Sequence, residues 1–600
     1  MRVYSAEMTN SIFLFLFFLI SYESFAQDIF VRVNLIGYAA SQPKKALILS
    51  KKELTDHWVL MAENGNKIKD LQPLLLKREY WAPFDYYYEC DFTDVTSPGS
   101  YFLSNSSQTI SSERFLIGNY PPIHESVLAF MQTQRCGFNP FTKEVCHPLD
   151  GKSFYGNRPD SSYVDATGGW HDAGDQLKYL ITGSNATARM LMAYQSNPSI
   201  FEDKVNDLGL PQPNGIADVL DEAKWGLDWI HKLHPTREEL IHQVADDRDH
   251  LGFKMPHEDA ANYGWGKNKY RPAYFANGKP QGLGKYKSES TGVSNIAGRS
   301  AAALSLGHQI FKVIPGYLPF AAQCLQDAVE LYEMGKKWEG FQQGNSYGAP
   351  YRYNERTWAD DMEWAAAALF KATGEKKYLN DALHYANIIG FTSWMEMDTA
   401  AHYEMYPYVN MGHFALWQIV DNKNVRDKLS GYYKHNLLKI QERANRNPYG
   451  VGHLFIWCSN NLATAVATQS LLYEQMTGDV QFRPLLQNHL NWLLGLNPWG
   501  TSMITGIPAD GEYPLDVHMP FWILNKQVVP GSLVDGPLWS SIHDKMLAIR
   551  LNEPDEFAHL QPDHIKYWDD FADYSTNEPT MDGSADLILL LAHFAKPKFK

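Results

Sequence analysis

Gly168-Gly169-Trp170-His171-Asp172-Ala173-Gly174-Asp175 sets two carboxylates three residues apart among glycines, and glycine allows the tight backbone that would aim both acids at one point. Near the other end of the chain, Asp573-Tyr574-Ser575-Thr576-Asn577-Glu578 stands just ahead of a final apolar stretch. Hydrolysing an acetal without a covalent intermediate needs one carboxylate to activate water and one protonated carboxyl on the opposite side of the bond. The two segments offer both. Paired aspartates in a glycine-rich loop equally suit a plain turn or a calcium loop, and the residues alone leave that choice open.

A second cluster lies beside the first. Cys136 and Cys146 bracket a loop, His147 follows at once, and His171 abuts Asp172. Two thiolates and two imidazoles satisfy tetrahedral zinc, and four protein ligands would make the site structural and closed. A Cys136–Cys146 disulfide with a solvated His171 is the alternative in an oxidising compartment.

These segments need a large scaffold. The chain has 600 residues, 53 basic against 68 acidic side chains and a net charge of −15, which argues against a nucleic acid partner held by bulk charge. Aromatics reach 14%, with 17 Trp and 34 Tyr, a composition suited to stacking against sugar rings. Arg2, the apolar run 12–20 and Ser24-Phe25-Ala26 read as a signal peptide over residues 1–26, cleaved after Ala26. The mature chain is then expected in the periplasm or the medium, with no transmembrane anchor. Five cysteines, an odd number, leave at least one unpaired within the chain. Over residues 27–118, short runs punctuated by turns, the alternating Ile29–Leu35 and then Lys45–Leu49 after a Pro-containing turn, predict a β-sandwich. Tyr86-Tyr87-Tyr88 fits one of its strands as packing. From 119 to 600 the period changes. Ile216, Val219, Leu220, Ala223, Leu227 and Ile230 share one helical face. Similar periods recur at 124–134, 186–195, 296–310, 321–337, 362–373, 379–389, 463–476, 482–494 and 585–594. With no convincing strand series between them, they predict an all-α domain, a toroid of helix hairpins whose loops build a cleft at one end.

Asn34-Leu35-Ile36-Gly37-Tyr38, the 168–175 motif, Asn214-Gly215-Ile216-Ala217-Asp218-Val219-Leu220-Asp221-Glu222-Ala223, and Asp573-Tyr574 with Asn577-Glu578 occur in the order of glycoside hydrolase family nine, the cellulase family that the sequence resembles over nearly all of the mature chain. The resemblance implies a multidomain protein: an N-terminal immunoglobulin-like β-sandwich followed by an all-α (α/α)6 barrel. It implies Asp175 as general base, Asp172 as a second carboxylate holding the attacking water, and Glu578 as general acid. Tyr574 would lie against the sugar at the cleavage point. Because the family inverts the anomeric centre, the Asp175 and Glu578 carboxyls are expected roughly 6.5–9.5 Å apart. The resemblance further implies zinc on Cys136, Cys146, His147 and His171. Calcium is implied near Asp360-Asp361-Met362-Glu363, where acidic residues are also ordinary in a helix's first turn.

The resemblance frays where many family endoglucanases carry a His-His-Arg stretch. Here the chain reads Leu515-Asp516-Val517-His518-Met519-Pro520-Phe521-Trp522, with one His and no Arg. His518 keeps a claim as a substrate ligand, and Asp516 could meet a sugar hydroxyl or an amino group. Trp358, Tyr449 and Trp457 are candidate stacking platforms, and the polar stretch 242–250, continuing to 263–266, could wall off part of the cleft. The expected activity is an exported inverting β-1,4-glucanase on cellulose-like or hemicellulosic glucan. The alternatives are an exo-acting β-glycosidase on short or amino-bearing oligosaccharides and a non-catalytic glycan-binding protein.

Overall fold

A computed structural model describes residues 28–250, 252–349, 352–391 and 411–595; the leader expected over 1–26 lies outside the described residues. Nine strands come first: β1 (Ile29–Arg32), β2 (Tyr38–Ala39), β3 (Lys45–Ser50), β4 (Trp58–Ala62), β5 (Lys67–Leu71), β6 (Leu74–Leu75), β7 (Tyr86–Asp91), β8 (Gly99–Asn105) and β9 (Phe115–Gly118). They form two sheets, in order β1-β3-β7-β6 and β2-β9-β8-β4-β5. The continuous apolar runs Ala46–Leu49 of β3 and Tyr86–Tyr88 of β7 suit strands covered on both faces, since successive side chains point to opposite sides. Ala46, Ile48, Tyr88 and Cys90 fill the space between the sheets. Leu47, Leu49 and Tyr87 point the other way, into the core of the helical domain. Burying a leucine this way stabilises by roughly 1.5–3 kcal/mol, so the sandwich is seated on the helices by its own sequence pattern.

The helical part contains α1 (Ile123–Thr133), α2 (Leu180–Ser196), α3 (Asp218–Leu233), α4 (Ser294–Phe311), α5 (Leu318–Lys337), α6 (Ala359–Thr373), α7 (Lys376–Ile389), α8 (Met411–Ile419), α9 (Lys423–Ala444), α10 (Ser459–Thr477), α11 (Arg483–Leu493) and α12 (Met581–Phe594). Two classes alternate along the chain. α2, α4, α6, α10 and α12 are buried almost all round, whereas α3, α5, α7, α9 and α11 have solvent-facing sides. A helix apolar on all sides belongs in an interior and a striped one at its surface. The buried helices pack in succession, α2 on α4, α4 on α6, α6 on α8, α8 on α10 and α10 on α12, and α12 returns to α2. None of the described helices is long and apolar enough to cross a membrane.

Three features depart from the expected pattern. α8 and α9 lack a predicted counterpart; α9 buries only Leu429, Tyr433, Asn436, Leu437, Ile440 and Ala444, a stripe too narrow and too polar to stand out. α2 begins six residues earlier than its apolar period, through Thr182, Gly183 and Ser184. A Cβ on Gly183 would come within 2.7 Å of the Trp229 ring, so glycine is what lets α3 approach. Finally, the helical part does hold strands: β10 (Lys152–Phe154), β11 (Lys178–Tyr179), β12 (Ile241–Val244) and β13 (Pro272–Phe275) form a sheet in order β10-β13-β12-β11. These runs of two to four residues are too short for alternation to register.

Candidate active site

The 168–175 loop is shaped from both sides. Gly168 and Gly169 have positive φ of 99° and 72°, conformations open to glycine at little cost, and a Cβ on Gly169 would meet the Trp229 ring at 2.4 Å. Trp170 is buried and its indole N–H donates to Glu222 Oε1 at 2.7 Å. Glu222, fully buried on α3, also receives the Arg135 guanidinium, 2.8 Å from Nη2 to Oε2. A buried carboxylate needs this kind of paired cation. The Asp218–Ala223 turn of α3 is thus a bracket for the loop.

Asp172 accepts hydrogen bonds from Thr182 Oγ1 and, at 2.7 Å, from Tyr353 Oη. Asp175 accepts the Leu177 N–H at 2.9 Å on Oδ1, and its Oδ2 lies 3.1 Å from His250 Nε2. Glu578 reaches this loop from the far end of the chain, its Oε1 accepting the Gly174 N–H at 3.1 Å. A Cβ on Gly174 would stand 2.0 Å from the His518 carbonyl oxygen and 3.0 Å from Glu578 Oε1; only glycine admits this approach. The Met581 N–H donates to the Asp172 carbonyl at 3.0 Å, pinning the start of α12 to the same loop. Asp573 fastens the acid segment by accepting from Ser575, Thr576 and, at 2.8 Å, His543 Nε2.

The electrostatics separate the three carboxyls. Burial pushes Asp175 up, but the hydrogen bond and charge of His250 with the Leu177 N–H outweigh it and hold Asp175 below the usual carboxylate range. Burial first, then the charges of Asp175 and Asp535, raise Glu578 well above its ordinary value. Asp172 is likewise raised, by burial and by Asp582. One site therefore sets a carboxyl whose pKa is lowered beside carboxyls whose pKa is raised, the kind of separation that acid–base hydrolysis needs.

Cys136, Cys146, His147 and His171 place one ligand atom each within 4.8 Å of one another. Both cysteines are free thiols, so the alternative Cys136–Cys146 disulfide is not formed, and His171 is buried rather than solvated. His147 Nδ1 lies 3.6 Å from Cys136 Sγ and His171 Nε2 lies 3.7 Å from Cys146 Sγ. Asp259 Oδ2 is 3.0 Å from the other nitrogen of His147, the carboxylate–histidine relation that orients metal ligands. Glu355, Asp360 and Asp361 form a second close carboxylate group. Arg299 already bridges it, at 2.8 Å to both Glu355 and Asp361.

A family model described as "Glycosyl hydrolase family 9" matches residues 120–591, and one described as "Cellulase N-terminal ig-like domain" matches residues 26–109. The chain belongs to glycosyl hydrolase family 9. It is a glycoside hydrolase with an N-terminal immunoglobulin-like domain and a mostly helical catalytic domain. Among its relatives are a cellulose 1,4-beta-cellobiosidase of Acetivibrio thermocellus, 25% identical over 94% of this chain and 67% of the relative, and endoglucanase C of Cellulomonas fimi, 22% identical over 84% and 47%. The chain thus spans about half the length of the Cellulomonas enzyme. A metagenome-derived glycoside hydrolase family 9 endoglucanase of known structure superposes with a TM-score of 0.73, at 25% identity over 94% of this chain and 99% of that one.

Around the family 9 carboxylates, the other candidate residues divide. His518 donates from Nδ1 to the Phe571 carbonyl at 2.5 Å and packs against Phe253 and Tyr574. Tyr574 also faces Trp457, ring centres 5.9 Å apart. These three side chains are brought together, partly exposed, beside the acid segment. Asp516 instead accepts the Trp522 indole N–H, and its carbonyl accepts from Asn577; it braces the loop, with burial raising its carboxyl to about 6. Trp358 packs edge-on to Tyr385 of α7. Tyr449 corrects the expectation of a stacking platform. It is 1% exposed and packs against Trp81, Tyr87 and Trp492 where the sandwich meets the helices. Sequence reasoning missed His250, Tyr353 and Thr182. His250 lay inside the polar stretch 242–250, where only its place in the fold reveals a partner.

Proposed function

We propose that the chain is an exported, inverting endo-β-1,4-glucanase acting on cellulose-like or hemicellulosic β-glucan. The observation that carries the reading is the Gly174 N–H···Glu578 bond, which joins positions 404 residues apart. In this reading Asp175 takes a proton from water, Asp172 orients that water, and Glu578 gives its proton to the departing glycosidic oxygen. Water attacks the face opposite the leaving group, so the anomeric centre inverts and a carboxyl gap of roughly 6.5–9.5 Å is required. The lowered pKa of Asp175 and the raised pKa of Glu578 support these roles. The names carried by the relatives, an endoglucanase and a cellulose cellobiosidase, support β-1,4-glucan as substrate.

Tyr574, His518 and Trp457 are the proposed sugar contacts, and the twelve helices α1–α12 are read as an (α/α)6 barrel, supported by the α2-to-α12 succession of contacts. The proposed division is leader 1–26, sandwich 27–118 and catalytic domain 119–600. Zinc would be held by Cys136, Cys146, His147 and His171. Zn–S near 2.3 Å and Zn–N near 2.0–2.1 Å in a tetrahedron imply S···N edges of roughly 3.6 Å, which agrees with the 3.6 and 3.7 Å observed. Its service would be structural: clamping the start of the loop that carries Asp172. Calcium, if bound, would sit at the Glu355–Asp360–Asp361 group: Arg299 meets Glu355 and Asp361, and Asp360 Oδ1 is buried without a hydrogen-bond partner. Comparing the fall in viscosity of a soluble β-1,4-glucan with the rise in reducing ends tests the reading. Rapid loss of viscosity per bond cut is expected; release of terminal sugars alone contradicts endo action.

A further inference from the structure

Asp535 lies where the strand-like segment Leu533–Val534 meets Pro579–Thr580, and its backbone N–H donates to the Glu578 carbonyl at 2.9 Å. It is 1% exposed, and neither carboxyl oxygen has a hydrogen-bond partner beyond the weak thiol donor of Cys458 at the start of α10. The charged groups that act on it are Asp582 from α12, Asp573 from the acid segment and Asp172 from the base loop. Those that act on Glu578 are Asp175, Asp535 and Asp172, with the Gly174 N–H as hydrogen-bond donor. Every charged group in both sets is acidic. Asp175 has His250, Asp573 has His543, and Asp172 has two hydroxyls; Asp535 has no such support. A buried carboxyl without a cation or a strong donor is an expensive anion, and Asp535, on the backbone position that pairs with Glu578, cannot cheaply ionise together with the part-buried Glu578 carboxyl, whose donor is the Gly174 N–H. The four candidate ligand atoms of a metal are not gathered here: among the described residues, the close groups are the two already described.

We propose that Asp535 is a positioning residue that keeps a proton on Glu578 at the pH where Asp175 has already lost its own. The proposal rests on Glu578 being the general acid. The pair Asp535–Glu578 then titrates as a unit whose last proton is held late, and the Asp535 carboxyl has the Cys458 thiol as its donor.

The test is the pH dependence of kcat/KM for Asp535→Asn, which keeps shape and removes the charge. On an unactivated cello-oligosaccharide, the midpoint of the alkaline limb should fall by about one pH unit, a tenfold loss at pH values above both midpoints, with KM and the acid limb unchanged. On a 2,4-dinitrophenyl cellobioside, whose leaving group needs no proton, wild type and variant should share one profile. A folded variant whose alkaline limb stays put, or whose activity falls equally at every pH, overturns the proposal. Thermal melting reports the fold; should Asp535→Asn not fold, Asp535→Ser serves the same comparison. Full activity of Glu578→Gln on the unactivated substrate would instead defeat the general-acid reading, a separate outcome.

Discussion

Replacing Gly174 with Ala adds one methyl at the place where the base loop meets the acid. The new Cβ would lie 2.0 Å from the His518 carbonyl oxygen and 3.0 Å from Glu578 Oε1. Carbon and oxygen do not approach closer than about 3.0–3.4 Å without a clash, so the 168–175 loop and the His518 backbone must separate by about 1 Å or more, and His518 is tied to the acid segment by its N–H bond to the Asn577 carbonyl at 3.0 Å. The carbonyl is backbone and cannot swing aside. Gly174 is not among the residues with positive φ, so the penalty is contact alone and not backbone strain. The same shift stretches the 3.1 Å Gly174–Glu578 hydrogen bond. A misplacement of about 1 Å in a catalytic constellation costs on the order of 100-fold in rate, or about 2.7 kcal/mol of barrier. The assay is kcat and KM on cellotetraose with melting temperature measured in parallel. A fall in kcat near 100-fold with a folded protein is expected; kcat within threefold of wild type would refute the proposed contact between loop and acid.

Glu578→Gln should lower turnover of an unactivated substrate by about 10²–10⁴-fold while leaving binding, read by calorimetry, largely intact. His250→Ala should raise the acid limb of kcat/KM: the histidine holds Asp175 below its usual range, so without it the base is protonated at pH values where wild type still works, and activity at neutral pH is retained. Cys136→Ser should remove zinc measured by mass spectrometry and lower the melting temperature; unchanged metal content would defeat the zinc assignment. Tyr449→Ala should destabilise by about 3–5 kcal/mol, as deletion of a buried aromatic does, with the KM of the residual folded enzyme unmoved.

What the sequence revealed follows the range of each signal. β3 was legible because a short apolar run after a Pro-containing turn is a local pattern, and α3 because its apolar face repeats over sixteen residues. The Trp170–Glu222–Arg135 bracket was half legible: Glu222 sat on a helix face that is otherwise apolar, but its partners lie 52 and 87 residues away. α9 escaped because a long polar helix at the surface buries one thin stripe. Tyr449 misled because an aromatic in a loop after a polar helix looks the same whether it faces a sugar or the sandwich; only Trp81 and Tyr87, more than 350 residues earlier in the chain, decide it. The Asp175–His250 contact depended on a short sheet, β10–β13, whose strands carry no readable period.

The measurement that bears most directly on the paired roles of Asp175 and Glu578 is proton NMR of the first sugar released from a cello-oligosaccharide, recorded before mutarotation. A new α-anomeric hemiacetal signal is the result expected when water enters opposite the leaving group between two separated carboxyls. A β-anomeric product would mean that a carboxylate, not water, makes the first attack, and would contradict the account.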